Sequence, residues 1–65
     1  MGKTIFIILI EPEARMAEVH PVAYTTLEAA QKVIRETFSN PEQKSDTIFR
    51  DEAYTYFYIE RVEVM

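Results

Sequence analysis

The chain has 65 residues, of which 48% are hydrophobic; seven Lys and Arg stand against eleven Asp and Glu for a net charge of −4, and there is no cysteine. That composition belongs to a folding domain rather than a disordered segment. The length allows one domain, residues 1–65, at the lower limit of what folds alone, and the lack of thiols removes disulfides and thiolate metal sites as staples.

The cations Lys3, Arg15, Lys32, Arg35, Lys44, Arg50 and Arg61 are scattered. Non-specific binding to nucleic acid or to an anionic membrane needs them clustered, so neither partner is expected. A domain this small has little core of its own, and self-association is a common way to enlarge it.

The first element is the run Thr4-Ile5-Phe6-Ile7-Ile8-Leu9-Ile10, apolar at every position from Ile5 onward. It is dense in β-branched residues and too short for an independent helix, which predicts a strand from about Lys3 to Ile10. Successive strand side chains point to opposite faces, so two apolar sets need cover: Ile5, Ile7 and Leu9 on one side, Phe6, Ile8 and Ile10 on the other. The strand is therefore expected at the centre of a sheet. It falls far short of the roughly 20 residues of a membrane span, and it ends in Glu11-Pro12-Glu13 without a small-residue cleavage site. A cytoplasmic location is the expectation.

Glu11-Pro12-Glu13-Ala14 reads as a turn, with Pro suited to its second position. A second strand is expected over Arg15 to Tyr24, with Val19 and Ala23 on one face and Glu18, His20, Val22 and Tyr24 on the other. Pro21 cannot donate to a ladder, which places this strand at an edge.

Thr25-Thr26-Leu27-Glu28 predicts a helix start with Thr25 as N-cap and Glu28 completing a capping box. Leu27, Ala30, Val33, Ile34 and Phe38 then recur at helical spacing on one face. Glu28 and Lys32 form a favourable i, i+4 pair on the polar side. Ser39-Asn40-Pro41 stops the helix, because Asn tolerates a left-handed cap and Pro cannot continue.

Residues 42–53 are polar apart from Ile48 and Phe49. A wholly structureless stretch of that length is unusual inside so small a domain, so a partly ordered loop is expected, in which Ile48 and Phe49 either form a short extra strand near 47–50 or simply pin the loop to the core. The last strand is read from Tyr54 to Val64. Its parity changes: Phe57 and Ile59 share one face, Val62 and Val64 the other. A β-bulge near Glu60-Arg61 would bring all four to one side. The resulting fold class is α+β, a small ββαβ domain with a three-stranded, mainly antiparallel sheet in the order 2-1-3 and one helix packed on one face.

The apolar first strand, the segment Val22-Ala23-Tyr24-Thr25-Thr26-Leu27-Glu28-Ala29-Ala30 leading into a helix up to Phe38, and the closing Tyr58-Ile59-Glu60-Arg61-Val62-Glu63-Val64 together resemble small uncharacterised ββαβ proteins of phage, prophage and other bacterial accessory genes. The resemblance implies an accessory or regulatory protein, of the phage-inhibitor type, acting by contact. It carries over no catalytic residue.

Groups able to do chemistry are sparse. His20 is the only imidazole, and a zinc site needs three or four ligands; beside Glu18 it completes no set. Glu11, Glu13, Glu18, Asp46, Asp51 and Glu52 fall in turn-like, solvated segments rather than in the burial that splits carboxylate pKa values for acid–base work. Such an acidic rim suits the steering of a basic partner. Gly2 is the only glycine, which rules out a Gly-rich phosphate loop, and neither Ser39 nor Ser45 has a histidine at local spacing. No catalytic, cofactor-binding or metal residues are therefore assigned.

Tyr54, Tyr56 and Tyr58 alternate along the last strand and are expected on one face, where tyrosine is typical of protein interfaces. The leading expectation is a non-enzymatic protein-interaction module, a homodimer meeting through Phe6, Ile8, Ile10, Tyr54, Tyr56 and Tyr58. The alternative is a small enzyme or ligand-binding protein with a site between subunits built from tyrosine, His20 and a carboxylate.

Overall fold

In a computed structural model that describes residues 2–38 and 40–64, the elements run β1 (Lys3–Glu11), β2 (Glu18–Tyr24), α1 (Leu27–Thr37), β3 (Glu42–Gln43), β4 (Ile48–Arg50) and β5 (Tyr56–Val64). The five strands form one antiparallel sheet in the order β2-β1-β5-β4-β3. The α+β class and the neighbour order of the first, second and last strands are as the sequence predicts. The sheet is wider than the three strands expected, because 42–53 contributes two short strands of its own. Ser39, assigned to the helix stop, lies outside the described residues.

Alternation along β1 decides which apolar set meets the helix. Ile8 is fully buried in a cluster with Ala30, Ile34, Phe49, Phe57 and Ile59, and Phe6 and Ile10 pack against that cluster with Tyr24, Leu27, Val33 and Phe38. Phe6, Ile8 and Ile10 therefore lie under α1. Ile5, Ile7 and Leu9 point the opposite way, toward a face on which none of the described elements packs. This is the open face of the sheet.

The expected bulge in the last strand is absent. β5 pairs with β1 without interruption from Lys3↔Val64 to Glu11↔Tyr56, so Phe57 and Ile59 face the helix while Tyr56, Tyr58, Glu60, Val62 and Val64 share the open face. The reason is one of length. Eleven helical residues span about 16 Å, whereas nine strand residues span about 30 Å. The helix cannot cover the whole of β5, and the residues that follow Ile59 on its side are the exposed Arg61 and Glu63, joined by a 2.9 Å ion pair. The parity change marks where the helix stops, not an inserted residue.

An irregularity occurs instead in β2. Ile7 pairs with Ala23 and Leu9 with Val19, so between these pairs one residue of β1, Ile8, opposes three of β2. The extra two preserve parity, keeping Val19 and Ala23 on the open face. Pro21 lies within this bulge, where its missing N–H does no harm, and β2 is an edge strand as its proline requires.

The helix begins one residue later than the capping box suggests. Thr26 is the N-cap, extended at φ −133° and ψ 154°, and its hydroxyl accepts from the Ala29 N–H at 3.1 Å. The residue three beyond the cap is then Ala29 rather than Glu28, so no reciprocal carboxylate closes a box. Lys32 pairs with Glu36 at 3.9 Å rather than with Glu28, an exposed contact worth at most a few tenths of a kcal/mol. At the other end the Asn40 N–H donates to the Arg35 carbonyl at 2.9 Å with Asn40 at φ 52°, the left-handed geometry that asparagine tolerates. Thr26→Ala is expected to lower stability by about 1 kcal/mol, whereas Thr25→Ala leaves the urea midpoint close to wild type. Equal shifts in the two variants would contradict this cap.

β3 and β4 extend the sheet under the far end of the helix. The Lys44 and Ser45 N–H groups both donate to the Ile48 carbonyl, at 2.8 and 3.1 Å, and the Gln31 side chain on α1 donates to the Asp46 carbonyl at 2.8 Å. These bonds set the fully buried Phe49 opposite Phe57. Of the two alternatives for 47–50, the short strand is the one present, tied to the helix through Gln31.

Candidate contact surface

Three neighbouring strands bring the open face together. Ladder partners place Ile5 beside Val62, Ile7 beside Glu60 and Leu9 beside Tyr58, and Tyr58 in turn beside Ile48. On the β2 side Ala23 and Val19 extend the field past Ile7 and Leu9. An antiparallel sheet with one solvated face alternates apolar and polar residues. Here both sides of β1 are apolar, and the open side keeps Ile5, Ile7, Leu9, Ile48, Tyr58 and Val62 only half-buried. Glu60 is the one carboxylate inside this field; Lys3, Glu11, Arg50 and Glu42 lie at its ends.

Tyr56 and Tyr58 stack with centroids 5.8 Å apart and planes inclined by 13°. They are i, i+2 neighbours on one face, so the stack follows from strand geometry. The Tyr58 hydroxyl is pushed above the usual phenol range by desolvation against the sheet, then by the Glu11 carboxylate and by Tyr56. All three causes favour the neutral phenol.

Of the six residues expected at an interface, the structure brings two to the open face. Phe6, Ile8 and Ile10 are already taken up by the helix-side core, so the residues of β1 on the open face are Ile5, Ile7 and Leu9. Tyr54 precedes β5 and adopts φ 61° in the β4–β5 turn, with the Arg50 guanidinium 5.1 Å above its ring. It therefore leaves the row that simple alternation predicts. The signal that identifies the open-face set is the polar pair Arg61 and Glu63, since it shows on which side of β5 the helix runs out.

Two of the groups weighed for chemistry, His20 and Asp51, have structural partners. His20 Nε2 shares a hydrogen bond of 3.1 Å with the Tyr24 hydroxyl, and the ring meets Phe38 edge-on at 5.8 Å, Phe38 packing in turn on Phe57 at 4.8 Å. This aromatic chain ties the bulge of β2 to the end of α1. Asp51 Oδ1 accepts from the Ala53 and Thr55 N–H groups, both at 2.9 Å, an arrangement that closes the β4–β5 turn. Among the described residues no three His, Asp or Glu side chains are placed to hold a metal, and no helix is long and apolar enough to cross a membrane. A concavity of ≈ 580 Å³ lies between 40–42 and 50–53, lined by Asn40, Pro41, Glu42, Arg50, Asp51, Glu52 and Ala53. It is wide open, and no nucleophile–base pair points into it.

Comparison of the chain with protein-family models, with curated proteins and with solved structures finds no match.

Proposed function

We propose that this chain is a non-enzymatic interaction module whose working surface is the open face of its sheet, in an accessory or regulatory protein that acts by binding another protein chain. The observation that carries this reading is the second apolar set of β1, continued by Val62, Tyr58 and Ile48 over neighbouring strands. Contiguous apolar surface of this kind is uncommon on monomers and marks contact sites. Tyr56 and Tyr58 fit the aromatic content of interface cores. The near absence of a basic cluster and the engagement of His20 and Asp51 in structural bonds point the same way.

Affinity capture with tagged wild type, Tyr58→Lys and Lys32→Ala tests it. Lys32 lies on the outer side of the helix and serves as the control. A protein retained in stoichiometric amount by wild type and Lys32→Ala, and lost with Tyr58→Lys, is the expected result. Retention by all three would place the contact elsewhere on the molecule, and a co-purifying small molecule would favour a ligand site instead.

A further inference from the structure

We infer that a second copy of this chain joins the sheet along the outer edge of β5, antiparallel over Glu60–Val64, about a twofold axis at Val62. This pairing is independent of the open face, which it leaves uncovered.

β5 is paired along the whole of one edge and only part of the other. Its inner edge meets β1 from Tyr56 to Val64. On the outer edge β4 accompanies it from Tyr56 to Tyr58, and one more bond, from the Ile59 N–H to the Thr47 carbonyl at 2.8 Å, closes that ladder. Beyond Ile59 no strand pairs with this edge among the described residues, and Glu60, Arg61, Glu63 and Val64 are exposed. Backbone groups of successive strand residues point to opposite edges. Since the Ile59 N–H points outward, so do the N–H and C=O groups of Arg61 and Glu63, while those of Glu60, Val62 and Val64 turn to β1. The edge therefore presents two donors and two acceptors already held in strand geometry, an established template for another strand.

Charge selects the strand that fits. With Arg61 and Glu63 as the outward residues, an antiparallel copy has three registers: Arg61 opposite Arg61, Glu63 opposite Glu63, or Arg61 opposite Glu63. The first two set like charges directly across from each other, which is unfavourable. The first also brings Glu63 against Ile59, whose N–H is taken by Thr47. The third pairs Arg61 with Glu63 twice, once on each side of the axis, and satisfies all the outward donors and acceptors of both copies. Arg61 and Glu63 of one chain already meet at 2.9 Å, so the four side chains at the junction alternate in sign around a square. At the axis Val62 meets Val62 in a non-hydrogen-bonded pair, where side chains stand closest and β-branched residues pack well.

The remaining edges are poorer. β2 is interrupted by Pro21 and its bulge, and β3 has two residues. Arg61 and Glu63 also lie past the reach of α1, so no helix stands over the junction. A twofold axis perpendicular to the sheet sets both helices on one side of a continuous sheet and both open faces on the other.

Sedimentation equilibrium over the micromolar range should show the wild type passing from the chain mass of 7.6 kDa to twice that value, as suits a short contact. Arg61→Glu and Glu63→Arg each oppose like charges and should raise the dissociation constant more than about tenfold, with the circular dichroism of wild type. Mixed in equal amounts, the two variants put opposite charges across the junction again and should associate about as tightly as wild type. Loss of the ion pair within each chain, which both variants share, cannot produce that recovery. In the wild type, which needs no variant to fold, hydrogen exchange followed by NMR should show the Arg61 and Glu63 amides slowing as concentration rises, and the Val62 amide, bonded to β1, unchanged. A wild type that stays monomeric into the millimolar range overturns the pairing. So does a dimer whose Arg61 and Glu63 amides stay unprotected, or a mixture of the two folded variants that associates no better than either alone. The capture experiment with Tyr58→Lys reads a different surface, and neither result decides the other.

Discussion

Phe49→Ala is expected to remove about 3 to 5 kcal/mol of stability, the largest loss of any single truncation in this chain. Phe49 is the bulkiest of the fully buried side chains and lies at the centre of the three-residue β4, opposite Phe57. The walls of the cavity it would leave are held by separate elements. β5 is fixed by its nine-residue ladder to β1, and α1 is tethered by Gln31 to the β3–β4 turn, so neither can collapse inward without breaking backbone or side-chain hydrogen bonds. A domain of this length holds a total of roughly 3 to 10 kcal/mol, which makes the variant partly or wholly unfolded in buffer. Urea denaturation followed by circular dichroism checks it. A midpoint within error of wild type would mean that β4 is not a part of the core.

The second large effect separates two adjacent isoleucines. Ile8→Ala should lower stability by about 2 to 5 kcal/mol, since Ile8 is fully buried against Ala30 and Ile34. Ile7→Ala deletes the same atoms one residue earlier, on the open face, and in dilute solution should have a markedly smaller effect. Melting both variants at low protein concentration reads this out. A loss for Ile7→Ala as large as for Ile8→Ala would mean that the open face is covered within the single chain.

The contrast between those two residues also shows how much of the molecule could be read in advance. An unbroken apolar run demands a central strand whatever surrounds it, a proline such as Pro21 demands an edge, and the seam Leu27, Ala30, Val33, Ile34 demands a sheet beneath it. These are local requirements, and each is met. What could not be read is which of two equivalent faces of β1 receives the helix, because Ile5, Ile7 and Leu9 differ little in hydrophobicity from Phe6, Ile8 and Ile10. The deciding information sits some fifty residues away in Arg61 and Glu63, and depends on helix length against strand length rather than on residue type.

Smaller displacements have similar origins. Thr25 and Thr26 are equally good caps by side chain, and the register of Tyr24 against Phe6 selects the later one. Tyr54 fits the alternation of the final strand, but the bonds from Ala53 and Thr55 to Asp51 turn the backbone at that point and send its ring over Arg50. On the open face, the pairing of Tyr56 with Tyr58 could be foreseen from their spacing, while the β1 residues beside them could be named only once the covered face was known.

The ladder between β1 and β5 has a further consequence, in time rather than in space. It joins residues as far apart in sequence as Lys3 and Val64, so forming it means closing most of the chain into a loop, and non-local pairing of this sort makes folding slow for its size. During synthesis β1 emerges before the other four strands and has only β2 as an early neighbour; its other edge waits for β5, the last of the five. Until then the most apolar segment of the molecule is without its longest partner, and it is in this interval that capture by a chaperone or by another nascent chain competes with folding. The segment that organises the finished sheet is therefore also the one most at risk while the sheet is incomplete.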